Sequence, residues 1–429
     1  MTNKENWKTG TKCVQAGWEP KKGEPRQVPI YQSTTFKYET SDQMARLFDL
    51  EESGYFYTRL QNPTTDAVAA KICALEGGHA AILTSSGQAA IFFAVLNLCE
   101  SGDHFVCSNA IYGGTYNLFA VTLKKLGIEV TFVPLSCSEE ELAAAIQPNT
   151  KLIYGEVLTN PTVQVLDIEL YARVAHANGL PLIVDNTFPT PVLCRPIEWG
   201  ADIVVHSTSK YMDGHAAQLG GCIVDSGNFD WDAHSGRFPG LTEPDPSYHG
   251  LIYTKAFGKG AYITKATVQL MRDLGSTSSP QNAFILNLGL ETLHLRMKQH
   301  AKNAQVLAEY LENHPKVAWV NYAGLDSDEY YELANKYMPR GASGVVAFGL
   351  KGGRENSIAF IDNLELISIV THVADARSCI LHPASHTHRQ LTDEQLKESG
   401  VNPDLIRLSV GIEDAQDLVK DLEQALEKI

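Results

Sequence analysis

An α/β fold with a mostly parallel sheet, followed by a smaller C-terminal α/β unit, is predicted by three features of the sequence. Seven short apolar runs between residues 80 and 225 alternate with helical stretches, the pattern of a sheet with helices on its faces. The runs are apolar nearly throughout and do not alternate with polar residues, as expected of strands covered on both sides. At 429 residues the chain is also longer than a single core usually serves, so it should divide.

The elements follow in order. Residues 1–63 lack sustained periodicity and carry "GEPRQVPIYQSTTF", which reads as an extended arm. "TTDAVAAKICALEGG" predicts a helix with Thr64 or Thr65 as N-cap and Gly77 as its stop. "AAILTSSG" is a strand running into a glycine turn, and "QAAIFFAVLNLCE" is the helix after it. The strand-like runs "HFVCSN", "EVTFVPL", "KLIYGEV", "LPLIVDN", "DIVVHS" and "GGCIVD" then alternate with helices, of which "DIELYARVAHANG" is the most amphipathic. A large domain is thus expected over 64–266. Within it, about 226–254 is rich in Gly, Pro and aromatics without a period, and reads as an ordered insertion. A C-terminal domain over 267–429 opens with the helical "AFILNLGLETLHLRMKQHAKNAQVLAEYLENH", has strands "GVVAFGL", "LISIV" and "LIRLSVG", and closes on the amphipathic "DAQDLVKDLEQALEKI".

Composition excludes several classes. With 35 basic against 50 acidic residues, net −15, the chain is a poor partner for nucleic acid or an anionic membrane. The polar "MTNKENWKTGTK" has no signal-peptide core, and no apolar run is long enough to span a bilayer, so a cytoplasmic protein is expected. Eight cysteines without a CxxC, mostly inside apolar segments, read as buried reduced thiols.

In open α/β sheets ligands sit beyond the carboxyl ends of the strands. Three strands end there in polar residues: Ser85, Ser86, Gly87 and Gln88 at a helix start, Asp185, Asn186 and Thr187 after "LIV", and Ser207, Ser209 and Lys210 in "VVHSTSKYMDGH". Free N–H groups at a helix start suit a phosphate. Singly, each has an ordinary explanation as a cap, a turn residue or a solvated lysine. Together they offer a phosphate cradle, a carboxylate and an amine. Neither GxxxxGK[ST] nor a GxGxxG after a first strand accompanies them, so nucleotide readings lack their signatures. A phosphate-bearing cofactor that uses a lysine and an acid is pyridoxal phosphate.

"YTRLQNPTTDAVAAKICALEGG", "SSGQAAI", "VDNTF" and "HSTSKY" resemble, in order and spacing over essentially the whole chain, the pyridoxal-phosphate enzymes of cysteine and methionine metabolism, of aspartate-aminotransferase fold type (fold type I). Within them, "FDWDAHSGRFPGLTEPDPSYHGLIY" and "RDLGSTSSPQNAFILNLGLETLHLRMKQHAKNAQ" look like the O-acetylhomoserine sulfhydrylase branch, whose chains run longer than those of the γ-lyases and γ-synthases. The resemblance implies that Lys210 forms the Schiff base and shuttles protons, and that Asp185 holds the ring nitrogen. It implies phosphate binding by Gly87, Gln88, Ser207 and Ser209, stacking of Tyr112 on the ring with a catalytic part beside Lys210 and Asp185, and secondary cofactor contacts from Asn160 and Thr187. Arg407 in "LIRLSVGIED" would pair with the substrate carboxylate. Two positions depart from the pattern: His372, where asparagine or serine is usual, is assigned to the substrate side, and Gln88 stands where many relatives have methionine. The histidines of "HPASHTH" would lie near the substrate entrance, with no metal expected.

The implied reaction is γ-replacement, turning O-acetyl-L-homoserine and sulfide (or a thiol) into L-homocysteine and acetate. The alternatives are a γ-elimination lyase acting on methionine or cystathionine, a γ-synthase using another acyl-homoserine, a cofactor-binding protein without turnover, and a nucleotide-binding regulator. The arm must bury Phe36, Tyr38, Phe48 and Tyr55 against something, and a neighbouring subunit is the expected surface. By resemblance Tyr57 and Arg59 reach the phosphate of the other chain, in a dimer paired into a tetramer. From sequence alone, Arg59 could equally pair locally with Asp66 or Glu52.

Overall fold

Successive residues along the strands of the main sheet face opposite sides, and both sides are buried. In the computed structural model, which describes residues 6–386 and 402–429, Ile183, Ile203 and Val205 pack into one apolar cluster while Val184 and Val204 pack into another. That two-residue alternation, with core on both faces, is why the runs carry so few polar residues. The sheet consists of β1 (Ala80–Thr84), β2 (His104–Ser108), β3 (Glu129–Val133), β4 (Thr150–Glu156), β5 (Leu182–Asp185), β6 (Ile203–Ser207) and β7 (Gly221–Asp225). Its order is β1-β7-β6-β5-β4-β2-β3. Strands β3, β2, β4, β5 and β6 run parallel, and β7 is antiparallel to both β6 and β1. All seven strands fall where the apolar runs place them.

A second, five-stranded sheet holds β8 (Val317–Asn321), β9 (Val345–Leu350), β10 (Ser368–Ile369), β11 (Cys379–Leu381) and β12 (Leu405–Ser409), in the order β10-β11-β12-β9-β8. The long helix Pro280–Glu312 leads into it, and the helix Ala415–Glu427 closes the chain. No helix among the described residues is long and apolar enough to cross a membrane. All eight cysteines are buried and free.

The expected arm is less plain than its sequence. It contains two short helices, α1 (Thr9–Gln15) and α2 (Ser41–Phe48), the second capped by Thr40, whose side chain accepts from the Gln43 N–H. The helix α3 (Pro63–Glu76) starts earlier than expected: its cap is Asn62, whose side chain accepts from the Thr64 N–H, and Pro63 occupies its first turn, where a missing N–H costs nothing. It stops at Gly77 as expected, with φ +80°, a left-handed conformation that glycine adopts without strain. The stretch 226–254 consists of short turns and helices that bury Trp231, Phe238 and Leu241 in the core beside the sheet.

Candidate active site

Most of the residues singled out by sequence, Tyr57 and Arg59 excepted, gather around the carboxyl ends of β4, β5 and β6. Asp185 ends β5 and is buried; its Oδ1 accepts from the Thr187 N–H (2.9 Å) and hydroxyl (2.5 Å). Its Oδ2 has no hydrogen-bond partner among the described residues. Burial raises the Asp185 carboxyl above its ordinary range, and the Thr187 bonds and nearby His206 oppose this. A cationic N–H facing Oδ2 would hold it ionised. Thr187 also accepts at Oγ1 from the Ser207 N–H (2.9 Å), which ties the ends of β5 and β6 together.

Above Ser207 lies the start of α4 (Gly87–Leu96), capped by Ser86, whose hydroxyl accepts from the Ala89 N–H. A Cβ on Gly87 would come within 2.6 Å of the Ser207 Cβ, so only glycine lets the helix approach the strand this closely. Helix-start N–H groups and the Ser207 hydroxyl therefore face one small volume. The Gln88 side chain spans to the next loop, donating to the Gly114 carbonyl (3.0 Å) and accepting from the Thr115 hydroxyl. Ser209 differs from Ser207: its hydroxyl donates to the Gly220 carbonyl and accepts from the Gly220 N–H. What it has left for a ligand is a lone pair.

Lys210 follows β6 in a tight turn and is half-buried. Burial first, then the positive charge of Arg407, pushes its amine down to about 8, with Cys379 acting the other way. Its Nζ lies 3.3 Å from His372 Nδ1. Arg407, on β12, is 6% exposed, and its Nη1 donates to Asn160 Oδ1 (3.0 Å) and its Nη2 to the His372 carbonyl (3.1 Å). Among the described residues it meets no carboxylate, and its Nε is buried without an acceptor. A buried guanidinium in that condition is strongly disposed to take an anion.

Tyr112 caps α5 (Gly113–Asn117), stands largely exposed and lies within electrostatic reach of Arg407. Its N–H donates to Glu156 Oε2 (2.7 Å). Sequence reading missed Glu156, a buried acid at the end of β4 in register with Asp185, whose carboxyl is pushed well up by burial and by Asp185. A glutamate inside "LIYGEV" was the available signal. Also missed was the fully buried contact beneath the sheet between His206 Nε2 and Glu76 Oε1 (2.6 Å), which Asn186 joins through Nδ2 (2.8 Å). Tyr57 and Arg59 stand apart. The Arg59 guanidinium lies 5.2 Å over the Tyr57 ring and donates to the Arg272 carbonyl, touching none of the groups above. Neither local acid engages it: Glu52 pairs with Arg46, and Asp66 with the Tyr55 hydroxyl. Of the histidine cluster, His382 has both ring nitrogens engaged, by Ser385 and the Pro403 carbonyl, and His388 lies outside the described residues.

This constellation agrees with comparisons to known proteins. The model of the Cys/Met metabolism PLP-dependent enzyme family matches residues 10–427. The chain belongs to that family. Among its relatives, an O-acetyl-L-homoserine sulfhydrylase of Leptospira meyeri is 47% identical over 99% of this chain and 98% of its own. A homocysteine synthase of Schizosaccharomyces pombe is 48% identical over 96% and 97%. The crystal structure of a Campylobacter jejuni protein assigned as an O-acetylhomoserine (thiol)-lyase, which contains N′-pyridoxyl-lysine-5′-monophosphate, superposes with a TM-score of 0.95 at 38% identity, covering 98% of this chain and all of the other. The fold is therefore fold type I and the enzyme is pyridoxal-phosphate-dependent. As a member of this family the chain has a donor set that fits the cofactor. Helix-start N–H groups and a free serine hydroxyl suit the phosphate, Asp185 Oδ2 is available for a ring N–H, and burial and Arg407 push the Lys210 amine down to about 8.

Proposed function

We propose that the protein is a γ-replacement enzyme that converts O-acetyl-L-homoserine and sulfide to L-homocysteine and acetate. The observation that carries this reading is the buried Arg407, without a carboxylate partner among the described residues, facing the Lys210 amine across His372. An amino acid held there by its carboxylate presents its Cα to the lysine. When bound, pyridoxal phosphate supplies an electron sink for the carbanion formed at that carbon. Lys210 takes the proton from Cα, and a lowered pKa lets it release the proton again at neutral pH. Asp185 holds the ring N–H through Oδ2, while Thr187 fixes its other oxygen. Gly87, Gln88 and Ser207 hold the phosphate, Ser209 braces the turn through Gly220, Tyr112 covers the open face, and Asn160 orients Arg407. Acetate leaves without strong acid assistance, so no further acid is required.

The relatives named for O-acetylhomoserine and homocysteine support this choice of substrate. The free buried thiols support a reducing, cytoplasmic setting. The exposed aromatics of the arm support an obligate dimer, paired into a tetramer, in which Tyr57 and Arg59 serve the neighbouring site. The deciding assay incubates the purified protein with O-acetyl-L-homoserine, with and without sulfide. Homocysteine and acetate formed only with sulfide are expected. An α-keto acid released without sulfide would make the protein a γ-lyase, and turnover confined to another acyl ester would make it a different synthase.

A further inference from the structure

We propose that His372 is a positioning residue for Lys210, its Nδ1 accepting a hydrogen bond from the lysine amine and so fixing the amine's place and its proton affinity. This rests on Lys210 being the lysine that serves the cofactor. His372 lies between β10 and β11, in a segment tied to both halves of the site. On one side the Ala374 N–H donates to Ser409 Oγ (2.8 Å) on the strand that bears Arg407. On the other, the Ala376 N–H donates to the Gly214 carbonyl (2.9 Å), and the Gly214 N–H donates to the Lys210 carbonyl (2.8 Å). The His372 carbonyl accepts from Arg407 Nη2 (3.1 Å) and from the Cys379 thiol (3.4 Å). Backbone and ring of one residue thus contact both the arginine and the lysine.

The chemistry of the contact follows from donor counting. While the amine is an ammonium it has donors only, so Nδ1 accepts from it and a neutral ring then carries its proton on Nε2. Nε2 is buried and has no partner among the described residues. Burial keeps the imidazole neutral by lowering its proton affinity; Lys210 and Arg407 add to this, and Asp375 and Asp213 oppose it. Around Lys210 the facing groups are His372, Arg407 on β12 and Cys379 on β11. A neutral acceptor favours the charged form of its donor. The bond to His372 therefore opposes the effect of burial and keeps the lysine from losing its proton too early.

The sign gives the test. His372→Phe keeps a ring of similar size and removes the acceptor, whereas His372→Asn places an amide oxygen close to where Nδ1 lies. Borohydride reduction of the cofactor-loaded chain, followed by peptide mass analysis, first identifies the lysine that holds the cofactor. The pH at which Lys210 becomes half-reactive toward acetic anhydride is then measured on the cofactor-stripped full-length protein. The Phe variant should move that midpoint down by about one pH unit, and the Asn variant should recover most of it. In turnover, the Phe variant should lower kcat with little change in KM, because the Arg407 contact uses the His372 backbone. An unmoved midpoint in a Phe variant that melts like wild type would overturn the proposal. So would equal shifts in Phe and Asn, which would mark packing alone. Reduction onto another lysine would overturn the assignment of Lys210, while the acylation midpoints would still decide the contact with His372.

Discussion

The ends of β5 and β6 and the N-terminal arm carry similar side chains under opposite conditions. At the strand ends each functional side chain is positioned by another: Thr187 fixes Asp185 and the Ser207 backbone, Asn160 fixes Arg407, and His372 touches both Arg407 and Lys210. In the arm, Phe48 is 50% exposed and Tyr57 39%, and Arg59 rests on a neighbouring carbonyl. A cavity of about 1240 Å³, lined by Leu47, Phe56, Asp66, Cys73, Ile263 and Met271 among others, lies between part of the arm and the body, although Cys13 of α1 is buried in the main core. One region is braced by contacts within the chain. The other leaves apolar side chains exposed, the feature on which the proposed dimer rests.

The sharpest way to break this contrast is to remove the amine. Lys210→Ala should cut homocysteine formation by about 10⁴-fold or more, with far-ultraviolet circular dichroism unchanged because no core side chain is lost. Wild-type turnover in that variant would end the assignment. Next in size is Asp185→Asn, expected to retain cofactor absorbance but lose about 10²- to 10³-fold in kcat, since an amide cannot hold a ring nitrogen protonated. Unchanged kinetics would reduce Asp185 to a turn residue. Arg407→Ala should weaken substrate binding by about 2 to 5 kcal/mol, read as a raised KM with an unaltered cofactor spectrum. The smallest effect tests the arm. An Arg59→Ala chain mixed with a Lys210→Ala chain, with subunit exchange verified by mass, should give activity above that of either parent, because some mixed sites then carry neither lesion. Exchange without recovery would confine Arg59 to its own chain.

The main sheet was legible because its strands, the edge strands β1 and β3 apart, are buried on both faces and leave nearly unbroken apolar runs. The second sheet was legible only in part. β8 buries one of its five residues and so lacks a readable pattern, and β11 is three residues long. In the arm, α1 and α2 are each shorter than a periodicity window, so neither was read as a helix. At the site, residues at strand ends were found because polar groups interrupt apolar runs there. Glu156 and Glu76 were not, because each looks like the ordinary end of an element until a partner from a distant segment, the Tyr112 N–H or His206, arrives in space.

The two anchors of Arg407 have a consequence for substrate choice. With Nη1 on Asn160 and Nη2 on His372, the guanidinium plane cannot swivel, and the remaining N–H groups point along set lines. A fork whose rotation is already frozen loses little freedom when a carboxylate docks, and it cannot follow a carboxylate that arrives off-line. On the role proposed for Arg407, amino acids that keep the carboxylate one bond from the reacting carbon are expected to bind with varied side chains, and a homologue with a methylene inserted between the two is expected to bind far more weakly.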